Sequence, residues 1–361
     1  MAKIDELLRR MPESGASDTF FAAGRKPKVK LFGEAIDIEV YYVLENGELR
    51  SMLFEILSEE QEEYFNQHSD LDFGYAIEGV GRFRCNYFVQ RTGYGACFRL
   101  IPSRLVTLDE LSMPPIVKKL CGLRSGLILA TGPTGSGKTT TLAAMLHYIN
   151  EHSRRRIVTI EEPVEFVHQS IKSLVSHREV GVHSKSFVNA LRGVTRQDAD
   201  VVMVGELKDQ ETMGLAMSAA AMGILVFGTL PTNSAAKTID RIIDMFPAEE
   251  QPQIRTVLAE SLAGIVCQQL IKLNETEGRI AAVEVLLGNT ALANIIREGR
   301  IERVSSVFQT GRRDGMQLMD DSLFDLVKKE LIDGVGAYMK ADDKSRFQQF
   351  IKGKENSAVD D

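Results

Sequence analysis

The chain has 361 residues and a formal net charge of −7, with 44% hydrophobic and 26% charged residues. These values fit a globular protein of roughly two domains and exclude one that coats nucleic acid or anionic membrane through its overall charge. The four cysteines, Cys85, Cys97, Cys121 and Cys267, are scattered without a CxxC pair, which argues against a zinc ribbon or a disulfide framework and fits a reducing compartment.

The first eighteen residues carry charges where an export signal needs an apolar core, so a cytoplasmic chain is expected. Up to Arg104 the pattern is mixed. VKLF (29–32), IDIEVYYVL (36–44) and RFRCNYFVQR (82–91) read as strands, the last alternating apolar and basic residues, and SEEQEEYFNQHS (58–69) reads as a solvated helix. Gly33, Gly47 and Gly93 punctuate turns. Residues 1–104 are therefore expected to form a smaller α+β domain. Ile101 to Pro115 reads as a linker, with Thr107 to Glu110 as a short helix start.

Beyond it come short unalternating runs, LILA (127–130), IVTI (157–160), VVMV (201–204) and ILVF (224–227), with helical patterns between them. This predicts a parallel α/β sheet covered on both faces. Gly214 to Ala236 carries no charge, but Gly223 and Pro231 interrupt it, so a small-residue helix and a buried strand are expected there rather than a membrane span. After about Asp244 the pattern reads as mostly helical, and residues 343–361 as a polar, partly disordered tail.

After LILA and Thr131 comes GPTGSGKT, Gly132 to Thr139. It fits the G-x-x-x-x-G-K-[ST] pattern between a strand and a helix, in which backbone N–H groups and a helix N-terminus cradle phosphates. Lys138 supplies charge for the β and γ phosphates of ATP, and the Thr139 hydroxyl suits Mg²⁺. Gly132, Thr134, Gly135, Ser136, Gly137, Lys138, Thr139 and Thr140 are the expected nucleotide contacts. Hydrolysis also needs carboxylates near the phosphates; Glu161 and Glu206 follow two of the buried runs and serve as candidates for Mg²⁺ and water. The loop after ILVF, Thr229 to Ser234, offers groups for the γ-phosphate, with Thr229 among the nucleotide contacts and Ser234 as a helix cap.

Together these motifs resemble the secretion-superfamily ATPases, and within them the type IV pilus retraction motors of the PilT/PilU group. The resemblance spans nearly the whole chain: GASD (15–18), GRFRCNYFVQRTG (81–93), IPS (101–103), GPTGSGKTTTLAAM (132–145), TIEEPVEF (159–166), DADVVMVGELKDQET (198–212), GTLPTNSAAKTIDRIIDMFPAEEQ (228–251) and NIIRE (294–298). It implies a PAS-like N-terminal domain (1–104), a linker (105–115) and a RecA-like ATPase domain with C-terminal helices (116–342), assembled as a homohexamer. It further implies a cytoplasmic motor, peripheral at the inner membrane and without direct membrane insertion. Such a motor drives pilus retraction (twitching motility) through an inner-membrane platform protein, and binds no nucleic acid. Its Asp-box and Walker-B glutamates fall on Glu161 and Glu206, and its phosphate-approaching arginines lie among Arg82, Arg84, Arg91 and Arg99.

The sequence departs from the family pattern at several positions. Ile224 and Pro231 stand where the His box has histidines, Glu162 where an aspartate is usual, Lys208 and Ala293 where arginines are usual, and Thr19-Phe20 for Leu-His. Pro231 removes both an imidazole and a backbone donor. Slow turnover is one expectation; an ATP-binding accessory role beside a paralogous motor is the alternative.

Overall fold

The computed structural model describes residues 2–31, 34–39, 41–101, 104–274 and 278–350. Phe32, Gly33, Val40, Pro102, Ser103 and the tail from Ile351, on which some of these readings fall, lie outside the described residues. The chain forms two compact units, one built from residues up to Arg104 together with Glu162–Val167, the other from Leu105–Glu161 and the chain from His168 onward.

The first unit is an antiparallel sheet of β1 (Asp18–Ala22), β2 (Lys28–Leu31), β3 (Glu34–Asp37), β4 (Asp70–Ile77), β5 (Gly81–Gln90) and β6 (Gly93–Ile101), in spatial order β3-β2-β1-β6-β5-β4. The alternation in β5 buries Phe83, Cys85 and Tyr87 on one face and leaves Arg82, Arg84 and Asn86 on the other. The buried face is aromatic: Phe73 meets Tyr87 edge-on at 5.0 Å between centroids, and Phe21 meets Phe98 at 5.6 Å. Helix Glu59–His68 starts in a capping box between Ser58 and Gln61. The expected strand 36–44 is not formed as such. Pairing with β2 ends at Asp37, and Tyr41 N–H closes a turn onto the Ile38 carbonyl.

The second unit is a seven-stranded sheet of β7 (Gly126–Thr131), β8 (Arg156–Glu161), β9 (Leu174–Glu179), β10 (Val201–Val204), β11 (Leu225–Leu230), β12 (Leu262–Lys272) and β13 (Arg279–Leu287), ordered β13-β12-β7-β11-β10-β8-β9. All neighbours pair parallel except β12 and β13. Both faces are covered, as the unalternating runs require: Leu127, Leu129, Val202 and Val204 enter one core, and Ile128, Ala130, Val201 and Met203 the other. Thr107 and Glu110 cap a single turn, Leu111 N–H to Thr107 O, rather than starting a helix.

Beyond Asp244 the described chain is mostly helical, as read, but that reading missed two strands. Residues 262–272 and 279–287 are long antiparallel strands, because the β-branched run in β12 completes the sheet beside β7 and β13 pairs along its whole length. Among the described residues no helix is long and apolar enough to cross a membrane. The uncharged Gly214–Ala236 stretch divides between helix Gln210–Ala221 and β11.

Behind β8 lie histidines that the sequence leaves without a role. His168 is 5% exposed and stacks on His177, whose Nε2 accepts the His168 backbone N–H at 3.1 Å. Burial, then the neighbouring His177 and His147, lower the His168 ring to about 4. Above pH 6.5 the ring is neutral whether folded or unfolded; below it the unfolded ring takes a proton that the folded one refuses until about pH 4. Unfolding free energy should therefore drop by on the order of 3 kcal/mol across that window. Denaturant titrations from pH 7 to 4 should show this drop diminished in His168→Leu.

Candidate functional site

The site is built on the C-terminal ends of β7, β11, β10 and β8. Parallel pairing aligns Leu129 with Gly228, Gly228 with Val204, and Val204 with Ile160. The residues that follow each of these therefore emerge along one rim, where α/β sheets place ligands.

From β7 the chain enters the loop Gly132 to Gly137 and then helix Lys138–His152. Gly132 has φ +143°, and a Cβ there would stand 2.3 Å from the Gln268 carbonyl oxygen. Gly137, at φ +87°, N-caps the helix, and a Cβ would meet Gln268 Nε2 at 3.0 Å. Only glycine allows this path, which bends the backbone into a cradle for an anion, with the Ser136 N–H closing a turn onto the Pro133 carbonyl. Lys138 Nζ donates to the Gly132 and Pro133 carbonyls at 2.9 and 3.1 Å. Ser136 is buried, Thr134 and Gly135 are exposed, and Thr139 and Thr140 are half-buried in the first helical turn.

Sequence reasoning missed Gln268. Its Nε2 donates to the Ser136 carbonyl and its side chain is buried, so β12 braces the phosphate loop from below. The available signal was the pair of amides, Gln268 and Gln269, inside the mainly apolar run LAGIVCQQLIK.

Glu161 ends β8 and is 3% exposed. Gly205 N–H donates to the Ile160 carbonyl at 2.8 Å, and a Cβ on Gly205 would lie 3.5 Å from Glu161 Cα, so the β8 and β10 ends meet closely. Glu206, next in the chain, is half-exposed, with Lys208 Nζ 3.5 Å from its carboxylate. Asp209 caps helix Gln210–Ala221, and the Thr212 backbone N–H it accepts holds its carboxyl below the usual range.

Thr229 is buried, and its hydroxyl donates to the Gly205 carbonyl at 2.6 Å while its own carbonyl accepts from Leu207 N–H. It straps β11 to the turn carrying Glu206, and its proton is committed there. In the following loop Thr232 Oγ1 bonds Thr238 Oγ1, and Ser234 accepts from Lys237 N–H as the helix cap, leaving Pro231 and Asn233 exposed. Ile224 lies at the other end of β11, 8% exposed within the core. About 20 Å of extended strand separates it from Pro231.

The four candidate arginines belong to the first unit. Arg84 and Arg99 are directly paired in register, and Arg99 pairs with Asp18, so with Arg82 they share one face of the sheet. Arg82 Nε donates to the Val164 carbonyl at 2.6 Å, Arg84 Nη1 is 3.9 Å from Glu165, and Arg99 Nε donates to Asp18 at 2.7 Å. Arg91 stands apart from them, in the turn between β5 and β6.

A glycine loop closing onto a helix, with carboxylates at the ends of neighbouring parallel strands, defines a P-loop nucleoside triphosphatase. A family model for the Type II/IV secretion system protein matches residues 77–355. PilT of Pseudomonas aeruginosa, named a type IV pilus retraction ATPase, is 45% identical over 94% of this chain and 98% of its own. PilU of the same organism, named a type IV pilus ATPase, is 36% identical over 99% of this chain and 93% of its own. The crystal structure of the pilus retraction motor PilT with bound ADP has a TM-score of 0.88 at 40% identity, covering 97% of this chain and all of that one. The chain belongs to the Type II/IV secretion system protein family, as an ATPase with the α/β, RecA-like fold that its sequence predicts.

The cradle that Cβ atoms would fill fits a nucleotide's phosphates. Among the described residues no group of three or more His, Cys, Asp or Glu could hold a metal. The oxygen donors of Thr139, Glu161 and Glu206 are of the chemical kind that Mg²⁺ takes beside phosphate oxygens and water. Removing the Gln268 brace should loosen the cradle: Gln268→Ala should weaken ATP binding roughly tenfold, the worth of one buried hydrogen bond, as read by calorimetric titration.

Proposed function

We propose that this ATPase is a motor of type IV pilus retraction. It would work as a homohexamer at the cytoplasmic face of the inner membrane and turn a pilus platform protein. The observation that carries the reading is the single rim holding the phosphate loop, Glu161 and Glu206, in a chain nearly half identical to a named retraction ATPase over almost its whole length.

In this reading Lys138 and the loop N–H groups hold the β and γ phosphates. Thr139, Glu161 and Glu206 are the residues that would hold Mg²⁺, which would supply positive charge against the charge developing on the phosphates. Glu206, half-exposed, takes a proton from the attacking water as the new P–O bond forms and the bond to the β-phosphate breaks. Arg82, Arg84 and Arg99 supply positive charge from the first unit, which suits three guanidiniums gathered on one sheet face; Arg91, away from them, is left out of that role. The loop Pro231 to Ser234 reads the γ-phosphate through the exposed Asn233, without help from a Pro231 N–H. Ile224 is a core residue, so the altered His box bears on turnover through Pro231 alone.

The second reading, an accessory ring component that assists a paralogous motor, rests on Pro231 as a weakened sensor. Steady-state hydrolysis against protein concentration separates them: a concentration-dependent rate from the protein alone supports a motor, and a negligible rate that rises only with a partner motor supports the accessory role. Glu206→Gln should leave ATP binding unchanged and lower kcat by about 10²–10⁴-fold. Pro231→His should raise phosphate release by up to about a hundredfold, the worth of one transition-state hydrogen bond; an unchanged rate would remove the loop from γ-phosphate sensing.

A further inference from the structure

We infer that Glu284 is a positioning residue for hydrolysis: from β13 it sets the loop Pro231 to Ser234 against the γ-phosphate and ties that loop to the C-terminal helices. The inference rests on the reading of that loop as the γ-phosphate sensor.

Glu284 is 4% exposed and lies directly opposite Cys267 in the β12–β13 ladder. Its Oε1 accepts the backbone N–H of Ala235, the first residue of helix Ala235–Asp244, at 2.7 Å. The backbone N–H of Met319, which opens helix Met319–Lys328, also acts on the carboxyl, favouring its charged form. One buried carboxylate thus bonds the start of one helix and lies at the start of another far from it in sequence, and a charge in that position is stabilised by both helix N-termini. The sensor loop is anchored at both ends. Cys267 Sγ donates to the Thr232 carbonyl at 3.9 Å, Thr238 Oγ1 to the Ser234 carbonyl at 2.7 Å, and Glu284 fixes the residue immediately after Ser234. With a proline at 231 the loop has one fewer N–H to fasten itself, and the Glu284 bond becomes its exit anchor.

The second connection runs outward. Asp320, next to Met319, accepts the backbone N–H groups of Asp342 and Asp343 at 2.9 and 2.8 Å. Loop, carboxylate, helix Met319–Lys328 and the 342–343 turn form one continuous set of polar interactions.

The groups facing Glu284 are Asp320 on helix Met319–Lys328, Asp342 after helix Gly334–Lys340, Cys267 on β12 and, facing Asp342, Lys237 on helix Ala235–Asp244. Cys267 stays a neutral thiol, pushed up to about 12 by burial. Burial raises Glu284 to about 7, with Asp342 and Asp320 adding repulsion against the two N–H groups. The folded carboxyl therefore changes charge near neutral pH. Above pH 7 it is the charged acceptor that holds the loop, and below pH 7 it is protonated and holds it less firmly.

The test uses the full chain. Glu284→Gln should lower kcat about tenfold, raise ATP KM and weaken a non-hydrolysable ATP analogue by the same factor of about five while leaving ADP affinity unchanged, and lose the rise in kcat between pH 6 and 8. Wild-type analogue-to-ADP discrimination and pH profile in that variant would overturn the inference. Should Glu284→Gln fail to fold, Asp342→Asn decides, since Asp342 is half-buried and is one of the charges raising Glu284. That variant should move the neutral inflection to lower pH, and an unmoved inflection overturns the inference. Glu206→Gln run alongside separates the two failures: if it hydrolyses normally the rim reading is wrong, whereas if it is inactive and the Glu284 variants are normal only the role of Glu284 falls.

Discussion

Parallel pairing of β7, β11, β10 and β8 is the constraint on which the remainder depends. Because these strands run in one direction and in register, everything that follows them arrives at one edge: the glycine loop, Glu161, Glu206 and the Thr229–Ser234 loop. The edge is then stitched laterally by short backbone bonds, Gly205 N–H to Ile160 and Leu207 N–H to Thr229, with the Thr229 hydroxyl closing the set. Such bonds are already in place, so nothing has to rearrange at the moment of reaction, which is what preorganised electrostatic catalysis requires.

The strands outside that parallel group act on it from beneath. β12 touches the phosphate loop through Gln268, and β13 touches the helix start just after the Pro231–Ser234 loop through Glu284. Each contributes one buried polar side chain, and each directs it at a backbone group rather than at another side chain. A buried polar group held this way fixes geometry because leaving either partner unsatisfied is costly.

Much of the parallel sheet was legible in the sequence, since LILA, IVTI and VVMV are unalternating and flanked by breakers, and the glycine spacing after Thr131 has one well-known physical use. β12 and β13 were not. LAGIVCQQLIK and RIAAVEVLL mix residues at home in helix or strand, and only their ladder with each other and with β7 decides the matter. Gln268 and Glu284 were hidden by the same misreading, because a polar residue in a presumed helix is unremarked while one in a buried strand demands a partner. The arginines show a third limit. Alternation in β5 put Arg82 and Arg84 on one face, but their partners Val164 and Glu165 lie about eighty residues away and could not be read locally.

The six residues after Glu161 have a consequence for dissecting the protein. They belong with the first unit although the chain on both sides of them belongs to the second, so the backbone passes between the units three times, at Arg104, at Glu161 and at Val167. A fragment starting at Leu105 would carry Val164 without the Arg82 guanidinium that holds its carbonyl, and would bare the buried Phe166 to water. The P-loop half is therefore not a detachable module: excised at the obvious seam, it would be left with a sticky hydrophobic flap joined directly to its buried glutamate.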